Sequence, residues 1–203
     1  MTRLLIATNN PGKVRELQEL LAELPVPLVR PYDLGITTEV AETGATYAEN
    51  ARLKAEALAA ASGLIALGDD SGLEVDALGG APGLHSARYA GPGATDADRR
   101  AKLIQALREA PAPRAARFRC VIAVAVPAAS AAPAVHLFEG TCEGEILLEE
   151  RGQNGFGYDP LFWLPDQGRT MAELPNPLKN RLSHRGRAVQ AALPWLHALL
   201  TGA

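Results

Sequence analysis

Asp69 and Asp70 stand side by side, directly after the apolar run Leu64-Ile65-Ala66-Leu67 and just before Ser71-Gly72. Adjacent carboxylates repel each other unless a cation or a shared proton offsets them. The neighbourhood is acidic as well. Residues 39–76 hold eight carboxylates (Glu39, Glu42, Glu49, Glu56, Asp69, Asp70, Glu74 and Asp76) against two cations, Arg52 and Lys54. Mg2+ takes oxygen ligands and keeps several of its waters, so a site of Asp69, Asp70 and one or more glutamates suits it. The competing reading is a turn with an aspartate cap before Ser71-Gly72.

Two further segments complement this pair. Thr8-Asn9-Asn10-Pro11-Gly12-Lys13 reads as a turn that opens a helix, with Asn10 as its cap and Pro11 at the first helical position. Free N–H groups at such an end, the helix dipole and the Lys13 charge together favour an anion. Taken alone, the segment is as well explained by a capped helix with a surface lysine. Gly-x-x-x-x-Gly-Lys-[Ser/Thr] occurs nowhere, so this is not a P-loop. Farther along, Lys179-Asn180-Arg181-Leu182-Ser183-His184-Arg185-Gly186-Arg187 packs four cations and one histidine into nine residues. Such a run is commonly a solvated helix start. Here it follows an aromatic, Gly-rich stretch, Gly152 to Trp163. Phe156, Tyr158, Phe162 or Trp163 could stack on a base while lysine, arginine and backbone donors read its edge. The bland alternative places these aromatics in the core, Phe162 and Trp163 above all. In combination the three segments describe a nucleoside triphosphate site.

The elements that must position these groups are legible in outline. A strand at Leu4-Leu5-Ile6-Ala7 leads through the turn into a helix with Val14, Leu17, Leu20, Leu21 and Leu24 at helical spacing, stopped by Pro25. Thr46 and Glu49 form a capping-box pattern for a helix from Tyr47 to Ala61, closed by Gly63. A helix over Asp96–Glu109 follows Thr95. Strands are expected at Phe118–Val126 and Val135–Cys142, joined by an Ala/Pro/Ser loop at 127–133. Thr170 and Glu173 suggest a short capped turn. The last helix, Arg185 to Leu200, carries Pro194 and should kink there. Strand–helix alternation early and successive strands later predict a mixed α/β sheet.

Composition excludes several classes. The chain has 203 residues, 47% apolar and 21% charged, with a net charge of −3. That is enough chain for a substantial core in one domain, residues 1–203. Mild acidity argues against a nucleic-acid polymer as the partner, because such proteins carry a concentrated basic footprint. No run approaches the ~20 apolar residues of a membrane span. The N-terminal apolar run is too short for a signal peptide. Two cysteines, Cys120 and Cys142, make no disulfide framework, which points to the cytoplasm.

The ordered set of segments resembles the inosine triphosphate pyrophosphatase family, the dITP/XTP pyrophosphatases. Those segments are Thr8–Lys13, Glu42-Thr43-Gly44 with Glu49-Asn50-Ala51, Asp69-Asp70-Ser71-Gly72-Leu73, Gly79-Gly80-Ala81-Pro82-Gly83 with Ser86-Ala87-Arg88-Tyr89, Gly155-Phe156-Gly157-Tyr158-Asp159-Pro160, and Ser183-His184-Arg185-Gly186. The resemblance implies an α/β fold, an elongated mixed β-sheet whose flanking helices form two lobes around a central cleft, and a homodimer. It implies Mg2+-assisted hydrolysis of ITP, dITP and XTP to the monophosphate and pyrophosphate. On this resemblance Thr8, Asn9, Asn10, Pro11, Gly12 and Lys13 would hold the phosphates, Lys13 also assisting catalysis. Asp70 would be the general base, Asp69 a metal or water ligand beside it, and Glu42 a further metal ligand. Ser71 would contact the substrate. Phe156, Gly157, Tyr158 and Asp159 would wall the base, and Lys179, His184 and Arg185 would read it. The chain departs from the family pattern at Gly68, where alanine is usual, and at Ala41, where many relatives carry an acid. A pyrophosphatase for pyrimidine or modified nucleotides, or a non-catalytic nucleotide sensor, are the alternatives.

Overall fold

A computed structural model describes residues 2–37, 40–128 and 132–202. Glu39, counted above among the acidic residues, lies outside them, as do the central residues of the 127–133 loop. The element order is β1 (Leu4–Ile6), α1 (Pro11–Leu20), β2 (Leu28–Val29), α2 (Tyr47–Ser62), β3 (Ile65–Val75), α3 (Asp96–Ala106), β4 (Ala115–Val126), β5 (Ala134–Ile146), β6 (Phe162–Leu164), β7 (Arg169–Thr170), α4 (Asn176–Leu182) and α5 (His184–Thr201), with short 3-10 turns between. The strands form one seven-stranded sheet in the order β2-β1-β3-β4-β5-β6-β7. β1 runs parallel to β2 and β3, whereas β5–β6 and β6–β7 are antiparallel, so the sheet is mixed as expected.

Helix starts fall where side-chain chemistry places them. Asn10 Oδ1 accepts the Lys13 N–H at 3.1 Å, and Pro11 occupies the first helical position. Thr46 Oγ1 accepts the Glu49 N–H, but Glu49 reaches back to the Ala45 N–H rather than to that of Thr46. Thr95 and Asp98 cap α3 reciprocally. Glu173 accepts the Thr170 N–H over the short turn Met171–Glu173. Ends and strand lengths are less well anticipated. α1 and α3 stop short of Leu24 and Glu109, β4 and β5 extend beyond their expected bounds, and α5 retains Pro194 within one helix.

The correction that matters most is β3. The strand read at Leu64-Ile65-Ala66-Leu67 does not end there: it runs on through Gly68-Asp69-Asp70-Ser71-Gly72, where the competing reading has a turn, to Val75. β1 pairs with β3 over Ile65–Leu67, and the continuation beyond them lies beside β4, a support that local sequence does not display.

Two compact units divide the chain. The first comprises Met1–Asp70, Cys120–Gly140 and Arg185–Ala203, the second Ser71–Arg119 and Thr141–His184. In the first unit the sheet is covered on both faces. Leu4, Ile6, Leu67, Ile122 and Val124 pack with Leu17 of α1 and Val189 of α5. Leu5, Ala66, Val121 and Ala123 pack with Ala51, Ala55 and Ala59 of α2. Alternating residues go to alternate faces, as a strand requires. The second unit has its own core, centred on Leu73, Leu103, Phe118, Tyr158 and Phe162. No helix among the described residues is long and apolar enough to cross a membrane.

Candidate active site

Strand alternation separates the two aspartates. Leu67 faces α1 and α5, Ala66 faces α2, and the same parity carries Asp69 to the first face and Asp70 to the second. Their partners agree with this geometry.

Asp69 is wholly buried. Its carboxylate accepts from Arg185 Nε (2.8 Å) and the Cys120 thiol (3.2 Å), and pairs with the Lys13 ammonium. Arg185, 1% exposed, also grips Glu16 Oε2 at 2.5 Å. Two negative charges thus meet two positive ones, the balance a buried ionic cluster needs. Burial pushes the Asp69 carboxyl up, but the Arg185 and Lys13 charges outweigh it and hold it well below the ordinary carboxylate range. Burial likewise pushes the Cys120 thiol well above its usual range, so it is no thiolate nucleophile.

Asp70, on the other face, accepts from Lys54 Nζ at 2.9 Å and from Asn50 Nδ2 at 3.4 Å. The same ammonium donates to Glu42 Oε1 at 3.1 Å. Asn50, 2% exposed, also accepts the Gly44 N–H, tying the Glu42-Thr43-Gly44 segment to α2. α2 can lie this close because position 68 is glycine. A Cβ there would overlap the Ala51 carbonyl oxygen and crowd Ala55. This second cluster has two negative charges against one positive. Burial raises the Asp70 carboxyl above its ordinary 3.8, and the Lys54 and Lys13 charges offset it only in part. Removing the Lys54 charge therefore moves Asp70 further up: in Lys54→Met, a carbon-detected NMR titration of the side-chain carboxyls should place the Asp70 midpoint at higher pH than in the parent protein.

The donor set fits Mg2+ in one way and corrects the expectation in another. Glu42 and Asp70 already share one cation, the Lys54 ammonium. Two carboxylates with water and phosphate oxygens completing the sphere is ordinary Mg2+ chemistry. Asp69 does not belong with them, because it projects from the other face and is committed to its own cations. No group of three or more His, Cys, Asp or Glu side chains able to hold a metal ion occurs among the described residues.

The turn at the start of α1 forms as read. Thr8 is half-buried, Asn9, Asn10 and Pro11 are exposed, and the Asn10 N–H donates to Thr8 Oγ1 at 3.2 Å. Gly12 and Lys13 open α1, and the Lys13 ammonium turns toward Asp69. Arg185 does not match its expectation. It was to read a base edge, but its guanidinium is buried against Asp69 and Glu16. The basic run is only in part a solvated helix start: Arg181 and Arg187 are exposed, whereas Lys179, His184 and Arg185 are buried.

In the second unit, Ser71 is a half-buried residue of β3. Lys179 Nζ pairs with Asp159 Oδ2 at 2.5 Å and lies 5.4 Å from the centre of the Phe156 ring. Asp159 Oδ2 also accepts the Phe156 N–H at 2.8 Å, closing the loop on itself. A side chain at Gly155 would collide with this pair, and its φ of +78° suits glycine. His184 stacks on Phe118 with ring centres 4.6 Å apart. Tyr158 departs from the expected wall: it is 4% exposed, packs in the core, and its hydroxyl donates to the Ser86 carbonyl. Phe162 is core as well, at 0% exposure, whereas Phe156 is half-buried.

Sequence reasoning missed Lys54 and Glu16. Lys54 had a signal, a charge among the alanines 51, 55 and 59 that α2 turns inward. Glu16 had none beyond its place one turn after Lys13.

Comparison with known proteins finds relatives along nearly the whole chain. The profile described as Ham1 family matches residues 4–195. A dITP/XTP pyrophosphatase of Desulforamulus reducens is 50% identical over 198 residues, covering 97% of this chain and 96% of that protein. One from Methylococcus capsulatus is 51% identical over 201 residues, covering 98% of each. Among solved structures, a HAM1 protein from Coxiella burnetii superposes with a TM-score of 0.85 at 44% identity, covering 100% of both chains.

Proposed function

The chain belongs to the Ham1 family, and from that premise we propose how it works as a nucleoside triphosphate pyrophosphatase. It hydrolyses deaminated-purine nucleoside triphosphates, dITP, ITP and XTP, to the monophosphate and pyrophosphate. Attack at the α-phosphorus needs a neutralised polyphosphate, an activated water and a stabilised leaving group. Glu42 and Asp70 would hold Mg2+, which supplies charge neutralisation when bound. Asp70 takes the proton from the attacking water as its oxygen bonds to the α-phosphorus. The bond to the β-phosphate then breaks and pyrophosphate leaves with its charge met by Lys13 and the N–H groups at the start of α1. Asp69, itself held by Arg185, holds Lys13 at that end. The observation that carries this reading is the Lys54 ammonium shared by Glu42 and Asp70.

Base recognition falls to the second unit. Phe156 offers a ring face, Lys179 and His184 offer donors, and Asp159 an acceptor. Inosine and xanthine carry a 6-oxo acceptor where adenine carries an amino donor, so a donor-lined pocket rejects ATP. A buried polar mismatch of this kind discriminates by roughly 10⁴-fold. The reading includes a homodimer and a reducing, cytoplasmic setting, consistent with the two free cysteines. Sedimentation of the purified protein checks the dimer.

A panel of ITP, XTP, dUTP, dTTP, GTP and ATP, with and without Mg2+ and with products identified, tests the function. ITP and XTP should be cleaved fastest, with pyrophosphate as product and little turnover without the metal. Phosphate as the first product, or preference for dUTP or dTTP, would overturn it.

A further inference from the structure

The loop that carries Phe156 is held from outside by α3. Gly157, in the left-handed region at φ +62°, donates its N–H to Asp96 Oδ2 at 2.8 Å and accepts at its carbonyl from Arg100 Nη1 at 3.0 Å. Asp96 and Arg100 are four residues apart, hence on one face of α3 and one turn from each other. One helix face thus captures both backbone groups of one loop residue with an acceptor and a donor. Each captor is itself restrained: Asp96 pairs with Arg99, and Arg100 pairs with Glu150 at 2.9 Å on the chain entering the loop. On either side of Gly157 the chain is divided in role. Tyr158 points into the core, and the half-buried Phe156 presents the ring near Lys179. Fixing the Gly157 peptide therefore fixes where the Phe156 ring sits relative to Lys179 and Asp159. Charge-assisted hydrogen bonds are the strong kind, and both here involve an ionised side chain.

The geometry points to Asp96 and Arg100 as positioning residues for base recognition: they hold the Gly157 peptide so that Phe156 and the Lys179–Asp159 pair present one fixed edge to the purine. This inference rests on the base-recognition role given to the 155–159 loop above. Neither residue touches the groups assigned to water activation, which belong to the first unit, so their loss falls on KM and on base selectivity rather than on kcat.

The experiment compares Asp96→Ala, Asp96→Asn, Arg100→Met and the control Arg99→Met with the parent protein. Each is assayed for pyrophosphate release from ITP and ATP, with hydrogen exchange at the Gly157 amide followed by NMR. Asp96→Ala and Arg100→Met should raise KM for ITP about tenfold, the loss of one charge-assisted hydrogen bond, with kcat within about twofold. The ITP-over-ATP preference should fall. Gly157 amide protection should drop in Asp96→Ala and return in Asp96→Asn, which keeps an acceptor oxygen. Arg99→Met, which removes a restraint on Asp96 but leaves both contacts to Gly157, should move KM less than either clamp variant. Unchanged KM in both clamp variants, or a fall in kcat with KM unmoved, would overturn the inference. The parent protein in the same assay reports separately on the function: if it cleaves no ITP, the function fails, whatever the amide exchange shows.

Discussion

Replacing Asp70 with asparagine should lower pyrophosphate release from ITP by about 10³-fold or more while leaving the fold intact. The general-base contribution alone is typically 10²–10⁴, and the same substitution removes one of the two carboxylates proposed to hold Mg2+. Stability should change little by comparison. Burial already works against the ionised form of Asp70, so a neutral amide of the same shape relieves desolvation while loosening the Lys54 contact. The check is a rate measurement beside a denaturant midpoint. Activity near the parent level in a folded Asp70→Asn protein would remove Asp70 from the mechanism. Loss of activity together with loss of fold would instead assign it an architectural role.

The other large effect centres on the cation of the neighbouring Asp69 and has the opposite character. Arg185→Met should destabilise the protein by ~3–5 kcal/mol, because it strands Asp69 and Glu16 as buried carboxylates without their shared cation. Adding Asp69→Asn to that variant should recover part of the loss, since one of the stranded charges is then gone. Acid dependence gives an independent readout. Although burial pushes Asp69 up, Arg185 and Lys13 hold it well below the 3.8 it takes when unfolded. Its contribution to stability is therefore complete above 3.8 and is lost as the pH falls toward the lower folded value. Urea midpoints measured downward from pH 6 should fall less steeply in Asp69→Asn than in the parent. An equal slope in both would mean that Asp69 is not the depressed group.

These two expectations show which parts of the molecule could be read from sequence. Asn10, Thr46 and Thr95 announced their helices because capping is a transaction among residues three positions apart, and that spacing is visible in a linear chain. The site segments were visible for the same reason, as residue types in order. The division of labour between Asp69 and Asp70 was not. It depends on β3 continuing where Gly68-Asp69-Asp70-Ser71-Gly72 looks like a turn, and that continuation lies beside strand β4, distant in sequence. Once the strand is in place, parity assigns the two carboxylates to different faces and different cations. Arg185 was misassigned by the same blindness. A basic cluster beside a loop looks solvated until the fold lays Asp69 and Glu16 against it. Tyr158 went astray because Phe-Gly-Tyr gives no sign of which ring faces inward. The capture of Gly157 by Asp96 joins residues 61 positions apart and left no local trace.

The missing side chain at position 68 has a reach beyond its own volume. Lys54 leaves α2 between Ala51 and Ala55, the two residues that would meet a methyl group there. Enlarging residue 68 would lift that part of the helix and carry the ammonium away from Glu42 and Asp70, weakening the internal cation that competes with an external one for the same oxygens. Position 68 thereby acts as a spacer between α2 and β3 that sets how firmly Lys54 holds the two carboxylates, and with it the competition that the proposed divalent ion would meet. A laboratory selection for turnover at scarce magnesium would be expected to return changes at 68 and along its line of contact on α2 before changes in the carboxylates themselves.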